Sequence, residues 1–240
     1  MLILNLGCGS RTSAHCLNLD WSPYLRLKRS RLGPLIASLA LHGERRERFD
    51  LLDDSVEVHD LRRPLPFEKG SVDAVYHSHV LEHFDRDRAP NLLAEIHRVL
   101  RAGGVHRIVV PDFEILCRRY LSHIDSCDAN ASSVHDHDSY ISAVVEQMVR
   151  REATGTSGQS PLRRLVETVL FGDARRQGET HQWMYDRLNL SALLAATGFR
   201  HIRVLDHRTS AIPGWDLIQL DSLDSGKEYI PGSLYVEATG

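Results

Sequence analysis

Five short apolar runs, each ending at a polar or glycine-containing step, constrain this chain more than any other feature. They are Leu2 to Leu6, Cys16 to Leu19, Ser55 to His59, Val72 to His77 and Val105 to Val110. Their character is continuous rather than alternating, the pattern of strands covered on both faces in a parallel sheet. Helical patterns fall between and after them. Ala89 to Leu100 places Leu92, Leu93, Ile96, Val99 and Leu100 on one face, and Gly103-Gly104 marks its stop. Ser191 to Thr197 reads as a short helix with Asn189 or Ser191 as cap and Gly198 as stop. Phe199 to Asp206 and Ser233 to Glu237 read as two final strands. Strands alternating with helices in this way predict an open α/β fold.

The chain has 240 residues, which suits one domain carrying a sizeable insertion. Two segments exceed a minimal α/β unit. Ser22 to Asp54 lies between the second and third strands and holds one apolar stretch, Leu35 to Leu41. Asp112 to Tyr185 follows the fifth strand, with helices expected over Phe113 to Ile124, Tyr140 to Glu152 and Pro161 to Phe171, and a Gly/Ser/Thr loop from Thr154 to Ser160. The expected division is an α/β half over 1–111, a helical insertion or cap over 112–185, and completion of the α/β domain over 186–240.

A hydrophobic content of 42% and a charged content of 25% are ordinary for a globular protein. A net charge of -3 gives no reason to expect a nucleic-acid partner. The four cysteines, Cys8, Cys16, Cys117 and Cys127, form no CxxC pair, so a reduced, cytoplasmic setting is expected. The first apolar run is too short for a signal peptide and has no basic stretch before it. No run approaches the ~20 apolar residues of a membrane span.

Gly7-Cys8-Gly9 directly after a buried strand is the first chemical clue, because glycines let a ligand approach the backbone closely. Asp20 ends the second strand, where a carboxylate can accept hydrogen bonds from two ribose hydroxyls. Asp60 ends the third, and His77 and Ser78 end the fourth. Ligands of open α/β sheets bind beyond the carboxyl ends of the strands, so these residues converge on one edge. A nicotinamide dinucleotide is the nearest rival ligand. Its fingerprint wants a third glycine where Thr12 stands and an acid ~20 residues further on, and Asp20 comes too early.

In these stretches the chain resembles class I S-adenosylmethionine-dependent methyltransferases, especially the methyltransferase type 11-like group. The matching residues are Leu4-Asn5-Leu6-Gly7-Cys8-Gly9, Leu19-Asp20, His59-Asp60-Leu61, Pro64 to Phe67, Ser71 to Val75, His79-Val80-Leu81-Glu82-His83 and Glu95 to Gly104. The resemblance implies a Rossmann-like doubly wound, mostly parallel sheet with an antiparallel C-terminal strand and a helical insertion. It implies S-adenosylmethionine as cofactor, bound by Asn5, Gly7, Cys8, Gly9, Asp20, Trp21, Asp60, Leu61, His77 and Ser78. It also implies methyl transfer to a small-molecule acceptor such as a sugar, lipid precursor or secondary metabolite. The alternative is a cofactor-binding module without methyl transfer that serves as partner or sensor. A homodimer is left open. Three departures stand out. Asn5 sits where the family often has an acid, Ser10 and Arg11 follow Gly9 in place of a third small residue, and too few residues separate strands one and two for a full crossover helix.

His77, Ser78, His79, Glu82 and His83 form the densest polar cluster, and His79, Glu82 and His83 share one helical face by spacing. His181-Gln182-Trp183-Met184-Tyr185-Asp186 pairs a histidine with aromatics where the insertion returns to the sheet. Trp183 reads as core, while His181 and Tyr185 can line an acceptor pocket. A base is needed only for a weakly acidic acceptor, and histidine titrates near neutrality. His181 is preferred as that base, with His79 second. The histidine spacing and the run His135-Asp136-His137-Asp138 are not assigned as metal sites. The basic clusters Arg26 to Arg31 and Glu44 to Arg48 read as solvated faces, with a lid or interface role for the first left open.

Overall fold

A computed structural model describes residues 1–129, 136–148 and 181–240. The expected apolar runs become β1 (Ile3–Leu6), β2 (Leu17–Asp20), β3 (Glu57–Val58), β4 (Val72–Ser78) and β5 (Leu100–Pro111), followed by β6 (Arg200–Leu205) and β7 (Ser233–Thr239). They form one sheet in the order β3-β2-β1-β4-β5-β7-β6. β1 to β5 pair in parallel, with Leu4 beside Leu17 and Leu6 beside His77. Among the described strands only β7 runs antiparallel to its neighbours, pairing Ile108 with Val236 on one side and Leu205 with Tyr235 on the other. Parallel pairing sets the carboxyl ends of β1 to β5 on one edge, which makes that edge the place for a ligand.

One face of the sheet is covered by helices. α4 (Ala89–Val99) lays Leu92, Leu93, Ile96 and Val99 against Leu4, Leu6, Val75, Ile108 and Val110. Leu190 and Leu194, from the helix over Arg187–Ala196 (α7 below), complete that layer. Each fully buried aliphatic side chain contributes about 1.5–3 kcal/mol. The opposite face has no helix of comparable length among the described residues. Ile212, Leu220 and the four-residue helix over Trp215–Ile218 (α8) pack there on Ile3, Ala74, Tyr76, Val105, Val109 and Tyr235. The β1–β2 link contains only turns, as the short spacing predicts, and the stretch between β6 and β7 takes the place of a crossover helix.

A buried ionic network fastens this cover. The Arg107 guanidinium is fully enclosed; it donates to Asp221 (2.7 Å), to Glu237 (3.0 Å) and to the carbonyls of Thr209 and Asp206. It sits 4.6 Å from the Trp215 ring centroid and 5.4 Å from that of Tyr235. The Tyr76 hydroxyl donates to the other oxygen of Asp221 at 2.6 Å. No periodicity in the sequence signals this network, because Arg107 is 99 or more residues from each of its acceptors.

Several boundaries differ from expectation. α4 stops at Val99 and β5 begins at Leu100, so Gly103 and Gly104 lie inside a strand instead of ending a helix. A Cβ on Gly104 would come within 3.0 Å of the Asp73 carbonyl, and the β4–β5 register shifts there; the glycine permits a close backbone approach. β3 is a two-residue edge strand, shorter than Ser55 to His59. α7 begins at Arg187, not Ser191, because Asp186 caps it and Asn189 completes a reciprocal capping box. Its stop at Gly198 (φ +98°) matches expectation. The stretch between β2 and β3 folds into α1 (Pro23–Arg29), α2 (Gly33–Ala40) and α3 (Glu44–Asp50). The insertion opens with α5 (Phe113–Ala129) and α6 (His137–Met148). The expected helix over Pro161 to Phe171 and the loop at Thr154 to Ser160 lie outside the described residues.

Candidate functional site at the carboxyl edge of the sheet

The backbone builds the first part of the site. Gly7 and Cys8 both direct their amides at the Leu19 carbonyl, at 2.7 and 3.3 Å, which folds the chain sharply after β1. Gly7 and Gly9 both have positive φ, +63° and +54°, where an L side chain is strained. The two glycines serve different ends. A Cβ on Gly7 would strike Val80 Cγ2 at 2.5 Å, whereas one on Gly9 would meet nothing within 4 Å. Gly7 allows the turn to pack, and Gly9 leaves open space beside the backbone.

Asp20 closes β2. Its Oδ1 accepts from the Trp21 amide at 2.8 Å, while its Oδ2 is buried without a well-formed hydrogen bond. Burial pushes this carboxyl above the usual carboxylate range. A buried, half-satisfied carboxylate beside an open glycine turn suits the vicinal hydroxyls of a nucleoside. Asp60, beyond β3, is already engaged. Arg62 Nε approaches its Oδ1 at 2.7 Å and Nη2 its Oδ2 at 2.8 Å. Burial raises the Asp60 carboxyl, but the Arg62 hydrogen bonds and charge outweigh it and hold the group low. Beside it, His59 Nε2 is buried without a hydrogen-bond partner, a position sequence reasoning did not single out. Trp21 is half-buried under the Arg26 guanidinium, 4.7 Å from its centroid, and Leu61 packs at the core margin.

Asn5 and His77 sit deeper than the edge. The Asn5 amide donates to the Arg11 carbonyl and to Asn18 Oδ1, both at 2.9 Å, and so organises the β1–β2 turn. His77 is fully enclosed, 5.0 Å from the His106 ring centroid, and neither of its nitrogens has a partner. Burial pushes His77 down to about 4, against a weaker upward pull from Glu82. Ser78 is half-buried at the end of β4.

The polar cluster after β4 is not an α-helix. His79 has φ +54° and stands outside a single 3₁₀ turn over Leu81–His83. Its Nδ1 still lies 3.2 Å from Glu82 Oε1, and its Nε2 lies 3.0 Å from Ser233 Oγ at the start of β7. Ser233 is a partner that spacing does not reveal. Glu82 is fully buried. Burial drives its carboxyl up, but the His79 hydrogen bond and the nearby His79 and His83 rings prevail and keep it below the ordinary range.

The returning end of the insertion is stitched onto this turn. The amides of Gln182 and Trp183 donate to the Glu82 carbonyl at 2.7 and 3.2 Å. The His181 and His83 rings meet edge to face at 4.9 Å, and one donor atom each of Glu82, His83 and His181 lies within 4.8 Å of the others. Tyr185 pairs with Asp112 and accepts from the Phe113 amide, so the insertion leaves and rejoins the sheet at one point. The Tyr185 hydroxyl is buried without a partner. Trp183 is not core: it is 37% exposed, with the Arg86 guanidinium 4.6 Å from its ring centroid. The main chain on either side of Trp183 is held by Glu82 and by the Tyr185 strand bridge, so this indole is left at the rim.

Residues 4–108 match the model of a family described as a methyltransferase domain. No curated protein matches the sequence. Among solved structures, a SAM dependent methyltransferase from Archaeoglobus fulgidus is similar at 13% identity and TM-score 0.45, over 100% of this chain and 86% of that one. One from Methanosarcina mazei is similar at 16% identity and TM-score 0.46, over 99% and 92%. Human N-acetylserotonin methyltransferase in complex with SAM is similar at 12% identity and TM-score 0.39, over 99% and 47%.

Proposed function

We propose that this chain, whose residues 4–108 match a methyltransferase domain, is a class I methyltransferase that uses S-adenosylmethionine as its cofactor and methylates a small-molecule acceptor such as a sugar, lipid precursor or secondary metabolite. The observation that carries this reading is the constellation of Glu82, His83 and His181, set where the insertion rejoins the edge that holds the glycine turn and Asp20. When bound, the cofactor supplies an electrophilic methyl group on sulfur, so the protein has mainly to align and desolvate the acceptor. In this reading Asp20 holds the ribose hydroxyls, Gly9 gives the cofactor its space, and Cys8, Trp21, Asp60, Leu61 and Ser78 border it. Asn5 and His77 support the strands beneath.

For a hydroxyl acceptor, His181 takes the proton. His79 has one ring nitrogen against Glu82 and the other against Ser233, which makes it a positioning residue. His181 comes from the insertion side, and the buried Glu82 carboxylate stabilises the histidine ring cluster once a proton is taken up. Tyr185 lies on the same side of the edge, within the influence of Glu82.

The competing reading is a cofactor-binding module that acts as partner or sensor. It draws on the Asn5 amide being committed to Arg11 and Asn18 and on the missing crossover helix. One experiment separates the two: calorimetry with S-adenosylmethionine, then release of S-adenosylhomocysteine over a panel of small acceptors. Turnover with at least one acceptor is expected, and His181→Ala is expected to slow it by ~10²–10⁴-fold with cofactor affinity unchanged. Tight cofactor binding with no turnover across the panel favours the module. Loss of cofactor binding in His181→Ala removes the residue from the base role and passes it to His79.

A further inference from the structure

Within the insertion, α5 and α6 bring three nitrogen and sulfur donors together. His123 and Cys127 lie one helical turn apart on α5, and His137 opens α6, so both helices contribute. His123 Nε2 is 3.3 Å from Cys127 Sγ, and one donor atom from each of the three residues lies within 4.8 Å of the others. His123 is only 9% exposed. Its ring is stacked on Tyr140 at 4.0 Å and lies nearly parallel to His137 at 5.3 Å. His137 Nδ1 is buried without a hydrogen-bond partner. Ring stacking accounts for the imidazole faces but leaves that nitrogen unexplained, and a buried polar atom without a partner calls for a ligand.

The donor chemistry selects among cations. Two imidazoles and a thiolate suit zinc and its neighbours, whereas calcium and magnesium require oxygen ligands. Tetrahedral zinc with Zn–N of ~2.0–2.1 Å and Zn–S of ~2.3 Å separates a nitrogen and a sulfur donor by about 3.5 Å, close to the His123–Cys127 spacing. We propose that His123, Cys127 and His137 bind a zinc ion that clamps α5 to α6, with solvent or an added ligand in the fourth position. On binding, the Cys127 thiol gives its proton to solvent and the thiolate becomes a ligand. The clamp fixes the start of α6 relative to the helix that leaves β5 at Pro111, and so sets how the insertion continues from the sheet. It does not depend on methyl transfer.

The test uses the full chain. The protein, stripped with chelator, is titrated with Zn²⁺ against a chromophoric chelator, and in parallel with Co²⁺ while absorbance is recorded. One zinc ion per chain is expected, with a thiolate-to-cobalt charge-transfer band and the intense visible bands of a tetrahedral site. Cys127→Ser and His137→Gln are each expected to weaken zinc binding by more than about 100-fold, the upper end of what contacts around a site control. His181→Gln is expected to leave zinc binding unchanged. No bound zinc, a cobalt spectrum without the thiolate band, or zinc binding lost in His181→Gln but kept in Cys127→Ser overturns the proposal. The last result moves the metal to Glu82, His83 and His181. The cobalt spectrum of the unmodified chain decides the matter even if a variant fails to fold.

Discussion

Mild acid should destabilise this protein through a pair of histidines that have no solvent and no hydrogen bonds. His77 and His106 are fully buried against each other, and all four of their ring nitrogens lack partners. Burial lowers His77 from 6.5 to about 4, and burial together with the neighbouring His77 lowers His106 well below 6.5. A histidine whose folded pKa is depressed stays neutral in the folded state while the unfolded chain takes up a proton. Stability is therefore full above pH 6.5 and falls as the pH drops from 6.5 towards 4. For His77 alone the loss at about pH 5 is about 2 kcal/mol, rising towards about 3 kcal/mol near the folded value. His106 adds to it in the same direction. Asp20, Asp112 and Asp221 are all raised by burial, so they bind protons more readily in the folded state and act the opposite way. The comparison that isolates the histidine is wild type against His77→Leu, with urea midpoints measured at about pH 7.5 and about pH 5. The variant should lose about 2 kcal/mol less between those conditions, about 1 M in midpoint at a slope of about 2 kcal/mol per molar. Equal losses in both proteins would show that His77 is not the acid-sensitive group.

Asp20→Ala should weaken S-adenosylmethionine binding by ~1.5–3 kcal/mol if the carboxylate holds the ribose hydroxyls; unchanged calorimetric affinity takes Asp20 out of the site. Gly7→Ala should destabilise the fold by ~1–2 kcal/mol of backbone strain plus the cost of moving Val80, whereas Gly9→Ala should cost only the strain yet weaken cofactor binding. Equal effects of the two on melting and binding would refute that division. Arg107→Met should cost about 3–5 kcal/mol by leaving Asp221 and Glu237 buried without their cation. Adding Asp221→Asn and Glu237→Gln should recover part of it, and a thermal melt that shows no recovery would mean the loss comes from packing against Trp215 and Tyr235.

Local pattern was enough to read the strands, because a residue run such as Leu2 to Leu6 has only one way to hide continuous apolar surface and satisfy its backbone: pairing inside a covered sheet. The same locality located the glycine turn, Asp20 and Gly198, each of which acts within a few residues of its own backbone. The missing β1–β2 helix was legible too, since chain length alone forbids it. Local pattern could not find what depends on long-range closure. Asp186 outcompeted Ser191 as cap because Asn189 completes its box, and Gly103-Gly104 lie inside β5, where the Arg101 and Asp73 carbonyls leave no room for a side chain on Gly104. His77, at the end of a strand by sequence, proved to be enclosed against His106, a partner supplied by the neighbouring strand. Arg107 found Asp221 and Glu237, and His79 found Ser233, across more than a hundred residues. The zinc-type cluster needed a helix pair to juxtapose Cys127 with His137. The sequence by itself determined where the strands and turns lie, because continuous apolar runs and glycine steps are read locally, although the bounds of β3 and β5 were set by their neighbours in the sheet. Only the tertiary structure decided which polar groups meet, because a buried charge or an unpaired nitrogen is satisfied by whichever residue the packed chain delivers to it.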